Sequence, residues 1–241
     1  MSAGSIFRGS KANKRGLSLA LDATLKSSHD MKVFGLGAIA EFTLEKYRHF
    51  ALQRLYFYNA METRFDNATT GGISKVWPKY EAELRQYPCL IEDLKQISVD
   101  DPFSIRPSPS TQAYCEAIER SSNDALVGHF YTRYFADLFG GSMLGYPTHL
   151  ALGIPTPSFY SFPSTVTGHR AAYIESIYEA INEAGDEMEE IGRANVVEET
   201  KEAFRYNAEI IKEQGVELVP YIAKGVFNVS NGYVRKVLLR G

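Results

Sequence analysis

The spacing of apolar residues along most of the chain is typical of amphipathic helices. From Leu17 to about Lys32, leucines and alanines recur at helical spacing. Thr43 is a good N-cap for a long helix that runs to about Phe65, with Glu45 in its first turn. The pattern therefore predicts an all-α fold.

The rest of the chain continues this pattern, with interruptions where glycine or proline clusters. Further helices are predicted over residues 74–84, 91–97, 111–120, 125–144, 171–190 and 195–214. Connections are predicted over residues 34–40, 67–72, 101–110 and 147–164. No repeat or shift in composition marks a domain boundary, so residues 17–214 are expected to form a single helical domain. Residues 215–241 form an extension that the pattern does not assign.

Composition narrows the class of protein. The 241 residues suit one domain or at most two, and a hydrophobic content of 44% argues against disorder. A net charge of -3 argues against a nucleic-acid surface. Cys89 and Cys115 lack the C-x-x-C spacing, which indicates neither a disulfide framework nor a zinc site. No apolar run approaches the roughly 20 residues of a transmembrane segment.

The first 16 residues are basic, with four lysines and arginines and no acidic residue. They lack the apolar core of a secretory signal. They are interpreted as a solvated arm or as the remnant of an organelle-targeting segment, and we favour the arm because a full transit peptide is longer. A soluble protein of the plastid or the cytoplasm is expected.

The most informative segment is GHFYTRYFADLFGGSMLG, residues 128–145. Each glycine of the pair Gly140 and Gly141 costs a helix roughly 1 kcal/mol relative to alanine. The pair also permits a kink and the close approach of a flat group. Asp137 precedes it among apolar residues and needs a partner such as ordered water. The segment predicts a helix laid across a planar ligand, with one carboxylate organising water.

The same segment resembles the distal helix of heme oxygenases, whose pattern runs roughly H-x-Y-T-R-Y-x-[GA]-D-L-x-G-G. The matching residues are His129, Tyr131, Thr132, Arg133, Tyr134, Ala136, Asp137, Leu138, Gly140 and Gly141. Residues 43–65 look like the family's second long helix, and residues 198–213 look like its late helix. The resemblance covers about residues 17–214 and implies a multi-helical domain with a kinked distal helix.

The resemblance also points to a heme ligand among the five histidines. In heme oxygenases the proximal histidine ends the first helix, after a run similar to L-S-x-A-L, and His29 matches it. Lys26 matches a basic residue one turn earlier. His129 lies on the distal helix, where a second axial ligand would block oxygen, so it is interpreted as a hydrogen-bonding residue.

The activity that the resemblance implies is the cleavage of heme b, which is both substrate and cofactor, to biliverdin, ferrous iron and carbon monoxide. His29 would bind the iron, and a water chain held by Asp137, Tyr58 and Arg133 would deliver protons. Contacts to the heme would come from Lys26, Tyr131, Ala136, Gly140 and Gly141. No sequence typical of a flavin or nicotinamide site is present, so electrons would come from an external donor such as ferredoxin or a reductase.

Three departures from the family concern the heme's surroundings. Asp22 stands where the family usually has lysine, and Val33 where a glutamate usually buttresses the proximal histidine. The helix over 171–190 has acidic residues and no basic ones, although in the family it supplies partners for the heme propionates. Its carboxylates would repel the propionates unless they form a solvated face. The substitute partners would be Lys26, Tyr131 and Arg170.

Three functions stay open on the sequence. The first is a working heme oxygenase, which the retained Asp137 and glycine pair favour. The second is a related protein without turnover that acts as a binding or assembly factor, which the acidic helix favours. The third is a di-metal oxidase, which would need paired Glu-x-x-His motifs on facing helices, and these are not found.

Overall fold

The computed structural model of the protein describes residues 15–27, 43–139 and 144–214. Across these ranges the chain forms helices and contains no strand, which confirms the predicted all-α class. The α-helices are α1 (Gly16–Ser27), α2 (Leu44–Asp66), α3 (Gly72–Val76), α4 (Glu81–Leu84), α5 (Tyr87–Gln96), α6 (Pro109–Arg120), α7 (Leu126–Phe139), α8 (Gly145–Leu152), α9 (Ser164–Thr167), α10 (Arg170–Asp186) and α11 (Glu190–Glu213). Single 3₁₀ turns cover Trp77–Lys79, Pro102–Ser104 and Ser158–Tyr160.

The long helix α2 begins and ends close to where its sequence predicts. The Thr43 side chain accepts a hydrogen bond from the Lys46 backbone N–H at 3.2 Å, as an N-cap does. Its inner side carries apolar and aromatic residues into the core, with Leu55 and Met61 fully buried. This packing places the middle of α2 against α7.

Helix α7 forms its most extensive packing with α11. A Cβ atom at Gly128 would lie 2.7 Å from the Thr200 hydroxyl and 2.8 Å from the Val196 carbonyl oxygen. Only a residue without a side chain allows the two backbones to come this close. The contact fixes the separation of α7 and α11 one turn before the polar residues of α7.

Helix α1 is held against α10 in a similar way. A Cβ at Gly185 would lie 2.7 Å from the Leu17 Cβ atom, so this glycine also permits a close helix contact. The Ser18 backbone N–H donates to the Asn182 side chain at 3.0 Å. At the start of α1, Arg15 pairs with Glu179 and Asp186 of α10, each at 2.9 Å.

Two predictions about local structure were wrong. The helix predicted over 74–84 is broken into α3, a 3₁₀ turn and α4, because Pro78 fixes its φ angle and donates no hydrogen bond. The loop predicted over 147–164 contains α8. Pro147 lies in the first turn of α8, where a backbone N–H has no acceptor within the helix, and Gly153 ends the helix with φ +66°.

Several other predicted features lie outside the described residues. These are most of the basic arm, the end of the first helix, the glycine pair with its predicted kink, and the extension over 215–241. Among the helices that are described, none is both long and apolar enough to cross a bilayer.

Candidate functional site: a buried polar network beneath helix α7

Helix α7 is enclosed by protein at almost every position. From Ala125 to Leu138 each residue is buried except Ala136, which is exposed. Alanine has the smallest side chain after glycine, so a flat apolar molecule could approach the helix backbone closely at this position. The next residue, Asp137, points into the protein and is only 5% exposed. The helix therefore combines an open surface position with a buried carboxylate directly beside it.

Three helices contribute polar groups around Asp137. The Tyr58 hydroxyl of α2 donates a hydrogen bond to the Asp137 carboxylate. Arg133 lies one turn before Asp137 on α7, and its guanidinium donates to the Asn207 side chain of α11. The same guanidinium lies 4.7 Å from the centre of the Phe57 ring, a cation–π contact. A carboxylate, a phenol, a guanidinium and an amide thus share one buried region.

A second tyrosine–carboxylate pair joins the same two helices in the opposite sense. Tyr134 of α7 donates to Glu62 of α2 at 2.9 Å, whereas Tyr58 of α2 donates to Asp137 of α7. On α2 the acceptor Glu62 follows the donor Tyr58 by four residues, and on α7 the acceptor Asp137 follows the donor Tyr134 by three. The later residue of one helix thus bonds the earlier residue of the other, so the two helices run antiparallel. Glu62 also accepts from the Gln86 backbone N–H at 2.6 Å. We call the Tyr58–Asp137 and Tyr134–Glu62 hydrogen bonds the reciprocal pairs.

Burial governs the charges of these groups. It raises the pKa of the Asp137 carboxyl, although Arg133, the Tyr58 hydroxyl and Arg54 all act in the opposite direction. Burial also raises the pKa of Glu62 to about 7 despite its hydrogen bonds and the nearby Arg85. For Arg133, burial opposes the charge, but Tyr58 and Asp137 outweigh it and leave its pKa above the ordinary value. The region thus holds carboxyl groups that take up protons more readily than exposed ones do.

His129 takes part in a separate buried cluster. Its Nε2 atom lies 3.1 Å from the Ser121 hydroxyl and 3.0 Å from a Glu199 carboxylate oxygen, and its Nδ1 atom lies 3.3 Å from the Tyr114 hydroxyl. Both ring nitrogens are therefore engaged within the protein. This agrees with the interpretation of His129 as a hydrogen-bonding residue, and it ties α7 to α6 and α11.

Comparisons with known proteins identify the family of the chain. The family model described as "Heme oxygenase" matches residues 22–213. The chain belongs to the heme oxygenase family. It is 27% identical over 210 residues to a heme oxygenase from Rhodella violacea, covering 82% of this chain and 83% of the relative. It is 30% identical over 173 residues to heme oxygenase 2 of Mus musculus, covering 68% of this chain and 53% of that relative, about half its length.

A solved structure shows the same fold. The heme oxygenase-2 from Synechocystis sp. PCC 6803, determined in complex with heme and NO, superposes with a TM-score of 0.74 at 25% identity. The match covers 83% of this chain and 85% of that one. The predicted heme oxygenase-like fold is therefore confirmed.

The structure brings together the three residues predicted to form a proton-delivering network. Tyr58, Arg133 and Asp137 contact one another or share partners at the buried side of α7. Ala136 lies at the exposed position beside them. Tyr131 is buried, and its hydroxyl donates to the Asp22 carboxylate of α1 at 3.4 Å, so this tyrosine links the first helix to α7.

The other predicted heme contacts lie outside the described residues. These are His29, the predicted iron ligand, together with Gly140, Gly141 and the side chain of Lys26. Their assignments stay predictions. Val33, which replaces the glutamate usual in the family, lies in the same part of the chain as His29.

The acidic helix α10 has cationic partners of its own. Besides the contact of Glu179 with Arg15, Glu183 pairs with Lys79 at 2.7 Å. These side chains are about half exposed, so solvent screens each pair and its contribution to stability is small. The pairs nevertheless offset part of the negative charge that this helix presents.

The described residues fit a planar, mostly apolar substrate such as heme. The exposed Ala136 lets a flat ring approach α7, and the buried groups behind it can hold and move protons without solvent. Two members of this site were missed by the sequence analysis. Asn207 and Arg54 lie far from Asp137 along the chain, and the one available signal was an arginine within the aromatic run of α2.

Proposed function

We propose that the protein cleaves heme oxidatively to biliverdin, ferrous iron and carbon monoxide, using O₂ and electrons from an external donor such as ferredoxin or a reductase. Membership of the heme oxygenase family supports this activity. The observation that carries the proposal to particular residues is the buried carboxylate of Asp137 next to the exposed Ala136. A soluble enzyme of the plastid or the cytoplasm is the setting that we propose for it.

Heme, when bound, supplies the iron at which oxygen is activated, and the protein positions heme and supplies protons. We assign His29 as the iron ligand, and Lys26, Tyr131, Ala136, Gly140 and Gly141 as contacts around the ring. With heme bound, the short side chain of Ala136 would let the ring lie close to α7.

Asp137 has the central part in proton delivery. Tyr58 donates to its carboxylate and holds it in one orientation, while Arg133 places a positive charge nearby. A carboxyl whose pKa is raised by burial gains and loses a proton closer to neutral pH than an exposed aspartate does. The residue can therefore pass protons from the buried network to the exposed side of α7.

The test uses the full chain with added hemin and a reductase, and measures biliverdin and carbon monoxide. We expect Asp137→Asn to bind hemin as tightly as the parent but to form biliverdin at least about 100-fold more slowly, because general acid–base groups contribute factors of this size. Glu62→Gln is the matched control, since it alters the other reciprocal pair, and it should keep the parent's rate.

Two outcomes would contradict the proposal. If the parent binds hemin but forms no biliverdin with any donor, heme cleavage is not its activity. If Asp137→Asn turns over as fast as the parent, this carboxylate does not deliver protons.

A further inference from the structure

Three buried polar atoms near Asp137 have no hydrogen-bond partner among the described residues. They are the Nε atoms of Arg54 and Arg133 and the hydroxyl of Tyr160. Buried polar groups in folded proteins are almost always satisfied by protein atoms or by ordered water. Burial raises the pKa of Tyr160 to about 12, so its hydroxyl keeps its proton at neutral pH and can donate. These atoms therefore offer donors to water inside the protein.

Aromatic contacts place Arg54 and Tyr160 beside the Tyr58–Asp137 pair. The Arg54 guanidinium carbon lies 5.6 Å from the centre of the Phe159 ring. The same ring lies 5.6 Å from the Tyr58 ring and 5.0 Å from the Tyr160 ring. Phe159 thus contacts the Arg54, Tyr58 and Tyr160 side chains, and through it the Ser158–Tyr160 turn packs against the network.

The Arg54 guanidinium packs on an aromatic ring, and among the described residues no carboxylate contacts it. Its guanidinium carbon lies 3.4 Å from the centre of the Phe50 ring, one turn earlier on α2. Desolvation lowers the pKa of Arg54 to about 10, which leaves it positively charged at neutral pH. The nearby positive charge of Arg133 contributes to this lowering of the pKa, and the negative charge of Asp137 acts against it. The protein thus keeps two buried cations near one carboxylate.

The groups that face Asp137 come from several elements. Arg133 lies on α7 itself, Tyr58 and Arg54 lie on α2, and Tyr160 follows α8. On α11, Asn207 binds Arg133, and on α5 the carboxylate of Asp93 influences Tyr160 and accepts from the Ser158 and Phe159 backbone N–H groups. The Asp93 bonds fix the turn that carries Tyr160.

We propose that Arg54 is a positioning residue for the reaction, because with the Tyr160 hydroxyl it binds buried water that connects to the Asp137 carboxylate. This branch lies on the α2 side of Asp137 and is additional to the branch formed by Arg133 and Asn207. The proposed role needs no contact of Arg54 with the substrate or with iron. It acts through Asp137, by favouring the ionised carboxylate and by fixing the water that exchanges protons with it. The proposal rests on the proposed heme cleavage for its consequence in turnover.

The first experiment measures the ionisation of Asp137 in the full chain without heme. The carboxyl carbon is followed by ¹³C NMR across pH and assigned from its loss in Asp137→Asn. In Arg54→Met, which keeps the length of the side chain and removes the charge, the pKa of Asp137 should rise. Arg54→Lys should restore the parent value in large part. Arg48→Met is the matched control, because Arg48 also lies on α2 but donates to the Ile97 carbonyl oxygen, and it should leave Asp137 unchanged.

The second experiment measures biliverdin formation and hemin affinity in the same variants. Arg54→Met and Tyr160→Phe should each slow biliverdin formation by about tenfold, a part of what general acid–base catalysis contributes, with hemin binding retained. Because both residues hold the same water, the double variant should be little slower than either single variant. Arg48→Met should turn over like the parent.

Two results would overturn the proposal. An Asp137 titration that is the same in Arg54→Met and in the parent would show that Arg54 does not act on this carboxylate. Losses that multiply in the double variant would show that Arg54 and Tyr160 share no water. If the parent forms no biliverdin, the proposed function fails, and the NMR titration still decides whether Arg54 acts on Asp137.

Discussion

The buried Glu62 should make the stability of the protein depend on pH in an unusual direction. Glu62 is 2% exposed, and burial raises its pKa from 4.5 to about 7. The folded state therefore binds a proton at this site more tightly than the unfolded state does. At about 1.4 kcal/mol for each pKa unit, the difference corresponds to about 3 kcal/mol of stability.

The sign follows from the raised pKa. This contribution is fully present below pH 4.5, where Glu62 is protonated in both states, and it is lost as pH rises through about 7. Glu62→Gln imitates the protonated side chain and removes the dependence. Its free energy of unfolding relative to the parent should therefore rise by about 2 to 3 kcal/mol between pH 5 and pH 8.

Urea denaturation at several pH values, followed by circular dichroism, measures this difference directly. The contributions of the other titrating groups cancel in this difference, because the variant and the parent both carry them. Glu81→Gln is the comparison variant, because it removes a half-exposed acceptor of the same Arg85, at 2.9 Å. A difference that stays constant with pH for Glu62→Gln would refute the reasoning. It would mean that Arg85, 3.7 Å away, and the backbone donors keep Glu62 ionised despite its burial.

Three further predictions concern packing and heme binding. Gly128→Ala should lower the free energy of unfolding by about 1–3 kcal/mol, because the added methyl group meets the α11 backbone. The control Gly192→Ala, whose methyl group meets nothing closer than 3.5 Å, should be neutral or stabilising. Thermal denaturation compares the two variants. His29→Ala should lose the visible spectrum of a histidine complex with hemin and regain it with imidazole, and an unchanged spectrum would exclude His29 as the ligand. Glu175→Lys combined with Glu179→Arg should tighten hemin binding, more so at low salt, and equal affinity at every salt concentration would place these acids away from the propionates.

The sequence predicted a helix well where residues at its own ends determine where it begins and ends. Thr43 is an example, since an N-cap acts on the backbone three residues later. Helix α8 was missed because the four prolines within residues 147–164 and the lack of a clear apolar period predicted a loop. A proline in the first turn removes no helical hydrogen bond, and a sequence pattern does not show in which turn a proline will lie.

The residues of the site were likewise predicted only in part. The resemblance to heme oxygenases identified Tyr58, Arg133 and Asp137, and the structure places them together. Asn207 and Arg54 could not be predicted, because each matters through contacts with residues more than 70 positions away or across a helix interface. Charge compensation on the acidic helix α10 was missed for the same reason, since its partners come from the first helix and from the 3₁₀ turn after α3.

The reciprocal pairs have a consequence for motion. A slide of α7 along α2 by one residue, about 1.5 Å, would misalign both hydrogen bonds at once, because each helix carries one donor and one acceptor. The turns of α2 and α7 that carry these bonds should therefore open as one cooperative unit. In amide hydrogen exchange their amides should have similar protection factors and the same dependence on denaturant concentration. Any movement of α7 that widens the space beside Ala136 would then carry α2 with it.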